Sequence, residues 1–454
     1  MANSEPLERD DIQGIVFSGY AHLRRTAYLL LTIDASRRAD ARAWLGALAD
    51  KVTTARGRQK HESLNVALTF TAFQNLGLDD ATLATFPIAF SDGMASKRRA
   101  YILTDNELDD SSNWRWGGTH RPVDVLLMVF AETPDHLDEF VTTLRAGAAA
   151  HGLTEVVALD AQIYDDRNEH FGFSDGIAQP VLASQRKDKD GVSDANVVSD
   201  GEFVLGYRNE YGFDSDTPDL GPDKQLGKNG TYLVFRQTTQ DVAGFWHFVD
   251  GAAKNVRVDR ELLAAKIVGR WKSGVPLVLA PDKDPDPNAD PEKMPTDAFG
   301  YAGDPKGLAC PFGSHVRRSN PRDGMLTSGT AAESVQRAAR HRLLRRGRSY
   351  GLRIDDPRAD ENAERGLHFI CLCADIERQF EFVQQTWLNN PVFGQLVGEV
   401  DPLVGAQTAG EAVFTIQAEP VRKRVRNMQS FVTLRGGAYF FLPSLKALRW
   451  LGGR

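Results

Sequence analysis

Cysteine is almost missing from this 454-residue chain, which holds only Cys310, Cys371 and Cys373. An odd and small number cannot build a disulfide framework, and it fits a reducing compartment. No run of about 18 apolar residues occurs, so no membrane-spanning helix is expected. The opening MANSEPLERDDIQGIVF sets Glu5, Glu8, Asp10 and Asp11 ahead of any apolar run. That order is unlike a secretory or twin-arginine leader, and a soluble, cytoplasmic protein is the expectation. The ending KALRWLGGR gives no sign of a docking tail. Excess positive charge is lacking too: 54 basic residues face 61 acidic ones, a net of -7. This argues against a nucleic-acid coat and against a basic membrane-surface protein. Metal and redox signatures of the HExxH, paired CxxC and CxxCH types are absent. The length suggests two or three domains.

What is present is an order of elements that occurs twice. Tyr28 to Ile33 reads as a buried strand, and Ser36 is the expected cap of a helix carrying Trp44, Leu45, Leu48 and Val52 at helical spacing. Leu64, Val66, Leu68 and Phe70 alternate as in a strand, and Val123 to Phe130 is another. Thr133-Pro134 opens a helix lined by Leu137, Phe140, Val141 and Leu144. Glu155 to Ile163 completes a β-α-β-β-α-β unit of ferredoxin-like type. The second half repeats the order: a strand at Tyr232 to Phe235, a helix burying Val242, Phe245, Trp246 and Val249, and strands near Tyr350 to Ile354 and Leu367 to Cys373. A helix with Ile376, Phe380, Val383 and Trp387 follows, and a closing strand at Gly437 to Leu442. The expectation is an α+β fold of two antiparallel sheets with helices on one face of each. Residues 1–165 form the first domain, 166–226 a connection and 227–454 the second, with a long insertion at about 255–348.

Several motifs match in letters only. Gly172-Phe173-Ser174-Asp175-Gly176 has the G-x-S-x-G pattern of a hydrolase elbow, but no apolar strand precedes it and Pro180 would interrupt the helix that should follow. Asp282, Asp284 and Asp286 open like a calcium loop, yet Pro287 stands where glycine is needed and Lys293 where glutamate is needed. Cys371 and Cys373 share one face of a strand and read as buried structural thiols. A charge bias does stand out. Nine arginines lie between Val316 and Tyr350, against Asp323 and Glu333 alone. Solvated helix surface would account for Arg337, Arg340 and Arg342. The others invite an anion: phosphate, nucleic acid or the carboxylates of a cofactor. Nucleic-acid binders interleave aromatics with such charge, and only Tyr350 is at hand.

Taken together, GFSDG at 172–176, His315 in CPFGSHVRRSNPR and LRRGRSYG at 344–351 resemble the dye-decolorizing peroxidases, a haem-dependent family of two ferredoxin-like domains. The resemblance extends over DGMA at 92–95, NWRWGG at 113–118, GTYLVFRQTTQDVAGFWHF, VGRWKSG at 268–274 and CADIERQFEFVQQTW. It implies a non-covalent haem b, held mainly by the second domain, with His315 as the axial iron ligand. Asp175 would be the distal acid–base residue that carries the peroxide proton, within the turn closed by Gly176. Arg345, with Arg346 as the alternative one residue along, would stabilise charge as the O–O bond breaks. Arg317, Arg318 and Arg322 are the candidates for the haem propionates, and Phe369 for an apolar lid. A carboxylate should orient the axial histidine, and Glu377 and Glu381 are its nearest candidates by helix position. His368 stands where family members often carry an aliphatic residue; it either adds a titratable group to the pocket or faces away.

The implied reaction reduces hydrogen peroxide and oxidises dyes, phenols or other one-electron donors, fastest at acidic pH because the base is an aspartate. Bulky donors would react at a surface tyrosine or tryptophan or at the haem edge, with Tyr350 and Trp387 as possible relays. No nucleic acid and no membrane is expected as a partner, while an oligomer is compatible. Two rivals differ in what they need. A haem-handling protein would keep His315 and the arginines without Asp175, and a serine hydrolase would need Ser174 and no haem.

Overall fold

The fold was analysed in a computed structural model that describes residues 6–57, 60–105, 107–186, 194–219, 227–286, 297–325, 329–354, 356–359 and 363–453. Pro287 and Lys293 of the calcium-loop comparison, and parts of the connecting stretch, lie outside the described residues.

The first half contributes β1 (Arg25–Ile33), β2 (Glu62–Leu68), β3 (Val125–Ala131) and β4 (Leu153–Gln162), hydrogen-bonded in the order β4-β1-β3-β2, all antiparallel. Helices α1 (Arg38–Leu48) and α2 (Pro134–Ala150) cover one face. The second half contributes β5 (Thr231–Gln240), the short β6 (Leu344–Arg345) and β7 (Arg348–Tyr350), β8 (Gly366–Cys373) and β9 (Val432–Leu442). Here β5 lies between β9 and β8, and β6 and β7 share the far edge of β8. Both halves therefore have the ferredoxin-like strand order.

The two sheets do not stand apart. Leu68 of β2 pairs with Phe441 of β9, and Gln162 of β4 pairs with Ser349 of β7, so the strands close edge to edge into one ring. Closure leaves each long strand without a free edge, and apolar residues are buried on both faces of β1 and β3. Tyr28, Leu30, Met128, Phe130, Phe235, Ile370 and Phe440 pack together on one face. Their neighbours Leu29, Leu31, Leu127, Val129, Val234, Cys371 and Phe441 pack on the other, in one cluster with Trp44 and Leu45 of α1, Val141 and Leu144 of α2, and Ile376 and Phe380 after β8. Burial on both faces is why YLLLTI and VLLMVFA read as continuous apolar runs rather than as alternation.

The helix starts show how local chemistry sets the elements. Thr133 Oγ1 accepts from the His136 N–H with Pro134 in the first turn, as the sequence suggested. Ser36 is not a cap. Asp34 accepts from Ser36 N–H instead, and a short 3₁₀ turn at Ala35–Arg37 precedes α1. Helix α3 (Val242–Val256) is capped by Asp241 and α4 (Arg260–Val268) by Asp259. After Asp375 the chain winds with π-helical turns over Ile376–Glu381 and Val383–Leu388. Ile376, Phe380, Val383 and Trp387 are buried as their spacing implied. The wider winding is a departure often found where a helix wall meets a functional cavity.

Candidate active site

A cavity of about 320 Å³ lies between the face of β5, β8 and β9 and the π-helical segment. Its walls are largely apolar, with Leu367, Phe369, Phe380, Val383, Leu388 and Leu403 among them. Three polar groups converge on it.

The first comes from the turn at 169–176. Glu169 folds back so that its two carboxylate oxygens accept from Phe171 N–H and Phe173 N–H, both at 2.9 Å, and from Gln240 Nε2 at 2.7 Å. Gly172 and Gly176 take φ of +97° and +80°. Nothing lies within 4 Å of a side chain built on Gly176, so conformation and not space demands glycine there. The turn presents Asp175 to the cavity. Its Oδ1 accepts from Gly176 N–H at 2.6 Å and from Arg345 Nη1 at 2.7 Å. Burial would raise the Asp175 carboxyl, but the Arg345 charge and the Gly176 N–H outweigh it and hold it below the usual carboxylate range. Burial pushes Glu169 the other way, up to about 7.

The second group is His315, at the start of the short helix α5 (His315–Ser319). Its Nδ1 lies 3.0 Å from Asp401 Oδ2. The Asp401 side chain is fully buried, and its other oxygen accepts from Leu403 N–H and Val404 N–H at 3.0 and 2.9 Å. Burial opposes charge on both partners, and their mutual attraction prevails. The histidine is held above its ordinary range and the aspartate below. The orienting carboxylate is thus Asp401, not Glu377 or Glu381. Those two are spent on Arg99, a fully buried guanidinium that also holds Asp92. Asp401 sits 86 residues from His315 with no local spacing to betray it.

The third group is a cationic pole formed by Arg270, Arg322 and Arg342, all buried and all lining the cavity. Arg322 pairs with Asp297 and lies 3.9 Å over the Phe299 ring. Arg342 is 6% exposed, and among the described residues its Nη2 has no hydrogen-bond partner. Burial, together with the neighbouring guanidinium of Arg322, pushes Arg270 and Arg342 down to about 10, still charged at neutral pH. Sequence reasoning had left Arg342 to solvated helix surface. The helix ends at Ala339 and the chain then turns inward. Arg270 lies in the segment VGRWKSG, where no local pattern marks it as a cavity residue.

Arg317 and Arg318 do not reach the cavity. Arg317 donates to Asp304 and the Cys310 carbonyl, between the rings of Tyr301 and Phe312. Arg318 donates to the carbonyls of Trp387, Asn390 and Glu399, which fastens the loop that carries Asp401. Arg346 turns away as well, toward the N-terminal segment, and Arg345 is the guanidinium beside Asp175. Phe369 lines the cavity as expected.

His368 faces the closed interior of the ring. Its Nε2 meets the Asp160 carbonyl, its ring stacks on Tyr350 at 4.4 Å, and burial pushes it down to about 3. Tyr350 and Trp387 are both buried. Ser174 donates to Asn168 Oδ1 at 2.8 Å, and no helix follows it before Pro180. All three cysteines are buried and free. Among the described residues no group of three or more His, Cys, Asp or Glu side chains could hold a metal ion. No described helix is long and apolar enough to cross a membrane.

No family model matches the chain. It is 29% identical to a dye-decolorizing peroxidase of Exidia glandulosa over 97% of its own length and 86% of the relative's. It is equally 29% identical to a multifunctional dye peroxidase of Amycolatopsis, over 97% of this chain and 95% of the relative. Among solved structures, a fungal DyP-type peroxidase from Auricularia auricula-judae superimposes with a TM-score of 0.81 at 26% identity, covering 99% of this chain and all of that one.

Proposed function

We propose that the chain is a dye-decolorizing peroxidase, like the relatives it resembles over nearly its whole length, and that its cavity holds a non-covalent haem b and reduces hydrogen peroxide at the expense of dyes, phenols or other one-electron donors. One observation carries the reading: His315, oriented by a buried carboxylate, and the Asp175–Arg345 pair line the same apolar cavity.

The residues present suit the cofactor. A planar, largely apolar group with two carboxylates needs greasy walls, one imidazole and one cationic pole. The cavity offers Leu367, Phe369, Phe380 and Leu403, then His315, then Arg270, Arg322 and Arg342. The partnerless Nη2 of Arg342 is a buried donor that calls for an anionic acceptor. Haem bound through His315 would supply an iron centre at which the O–O bond of peroxide is cleaved and from which donors are oxidised one electron at a time.

The chain's own part is proton handling, charge placement and exclusion of water. With Nδ1–H donated to Asp401, the neutral ring of His315 is fixed in the tautomer whose lone pair lies on Nε2, the nitrogen that would ligate. Asp175, held ionised by Arg345, accepts the proton of the incoming peroxide and returns it to the departing oxygen, which leaves as water. Arg345 provides fixed positive charge where negative charge grows during cleavage. Phe369 and Leu367 keep the site dry, which strengthens both effects.

Replacing Asp175 with Asn tests the assignment. Peroxide reduction should fall by about 10²–10⁴-fold with haem binding intact. A variant as fast as the parent would move the role elsewhere.

A further inference from the structure

Arg345 sits in a strand of only two residues, paired with Cys371 through β8. So short an element does little to fix a side chain, yet Arg345 must meet Asp175 at 2.7 Å. Two side chains supply what the strand lacks. The amide oxygen of Gln179, four residues beyond Asp175 on the same loop, accepts from Arg345 N–H at 3.0 Å. On the other side of the residue, Arg346 Nη1 donates to the Arg345 carbonyl at 2.9 Å.

The Arg346 guanidinium is itself anchored. Its Nε and Nη2 donate to the carbonyls of Ile15 and Val16, at 2.6 and 2.8 Å, in a buried 3₁₀ turn. That turn is bolted to the ring by Gln13, which exchanges hydrogen bonds with Val66 and donates to the Pro443 carbonyl. Ile15 N–H adds a bond to Asn65. Among the described residues no carboxylate pairs with Arg346, and burial pushes it down to about 10.

We propose that Gln179 and Arg346 are positioning residues that clamp the main chain of Arg345 from both sides, so that its guanidinium meets Asp175 and the peroxide without searching. The N-terminal turn at residues 14–16 thereby becomes part of the distal machinery. This rests on the reading of Arg345 as the charge-stabilising residue, and it extends that reading to residues outside the cavity. A reacting group displaced by about 1 Å can lose on the order of 100-fold in rate.

The test uses the haem-loaded, full-length protein. Gln179→Met keeps the length of the side chain and removes the acceptor, whereas Gln179→Glu keeps an acceptor oxygen. Gln179→Met should lower kcat/KM for peroxide by about 10–100-fold while the KM for the donor stays put, and Gln179→Glu should recover most of it. Arg346→Met should resemble Gln179→Met, with Arg346→Lys between it and the parent. In the apoprotein, amide exchange of the peptide covering 343–349 should speed up in Gln179→Met and not in Gln179→Glu. If Gln179→Met keeps parental peroxide kinetics, or if Gln179→Glu is as slow as Gln179→Met, the clamp is wrong. Should Arg346→Met not fold, the two Gln179 variants decide alone. Arg345→Leu separates the two levels. If it leaves peroxide reduction unchanged, the underlying reading fails. If it abolishes reduction while the Gln179 variants do nothing, only the clamp fails.

Discussion

Replacing Asp401 with Asn changes one atom in a fully buried side chain, yet the geometry foretells a large effect at His315. The carboxylate serves two masters: one oxygen faces His315 Nδ1, and the other accepts from the N–H groups of Leu403 and Val404. Asparagine has only one acceptor oxygen. Turned toward the main chain it keeps two bonds, and turned toward His315 it keeps one and sets its NH₂ against two N–H donors. At about 1 kcal/mol for each net hydrogen bond, the first orientation dominates. The amide NH₂ then faces Nδ1, which must become an acceptor, so the ring proton moves to Nε2 and blocks the nitrogen that should bind iron. Restoring the ligating tautomer leaves a buried donor unpaired, at about 1–3 kcal/mol. That corresponds to roughly 10–100-fold weaker haem binding, the range found for lost partners of metal-bound histidines. Titrating the apoprotein with haemin at the Soret band measures the affinity. Resonance Raman of the ferrous form measures the iron–histidine bond, whose stretch should drop to lower frequency. Parental affinity with an unchanged stretch would refute the role of Asp401.

Other consequences can be checked in parallel. Arg345 holds the Asp175 carboxyl low against burial. The peroxide step should therefore persist below the pH at which an ordinary carboxylate protonates, and Arg345→Leu should shift its acid limb to higher pH; stopped-flow rates from pH 3 to about 7 would show an unmoved limb if the coupling is absent. The arginines should separate by readout. Arg342→Met should weaken haem binding by about 10-fold with little change in Tm of the apoprotein. Arg317→Met breaks a buried ion pair and should cost about 3–5 kcal/mol in urea denaturation of the apoprotein, and equal effects of the two on haem affinity would contradict the assigned pole. Ser174→Ala should leave peroxide kinetics within about two-fold of the parent, because the hydroxyl makes a single hydrogen bond to Asn168; loss of an esterase activity in that variant would revive the hydrolase reading.

Much of the fold was legible because the strands are written in local chemistry. YLLLTI, VLLMVFA and GAYFFL are apolar at nearly every step, and the Thr133-Pro134 start and the 376–387 spacing mark helices. Edge-to-edge closure of the two sheets was not legible. It depends on single pairings, Leu68 with Phe441 and Gln162 with Ser349, that join residues hundreds of positions apart or nearly so. The candidate site divides in the same way. Asp175, His315 and Arg345 stand in recognisable segments, and the structure brings them to one cavity. Asp401 was missed because a hydrogen bond across 86 residues leaves no periodic trace. Arg317 and Arg318 are propionate candidates by the chemistry of a guanidinium alone. On the short helix α5, however, neighbouring side chains point in different directions, and these two turn to Asp304 and to the carbonyls around Glu399. Arg342 was discounted because a helix was extended past its end at Ala339.

The most direct test of the central claim combines haem reconstitution with peroxide in one experiment. The purified chain is loaded with haem, its Soret spectrum recorded, and hydrogen peroxide added in a stopped-flow instrument to the parent and to Asp175→Asn. The account predicts a ferric Soret band in both proteins, with rapid peroxide-dependent spectral change in the parent and a change slower by about 10²–10⁴-fold in the variant. A parent that binds haem and ignores peroxide, or a variant that reacts as fast as the parent, would contradict it.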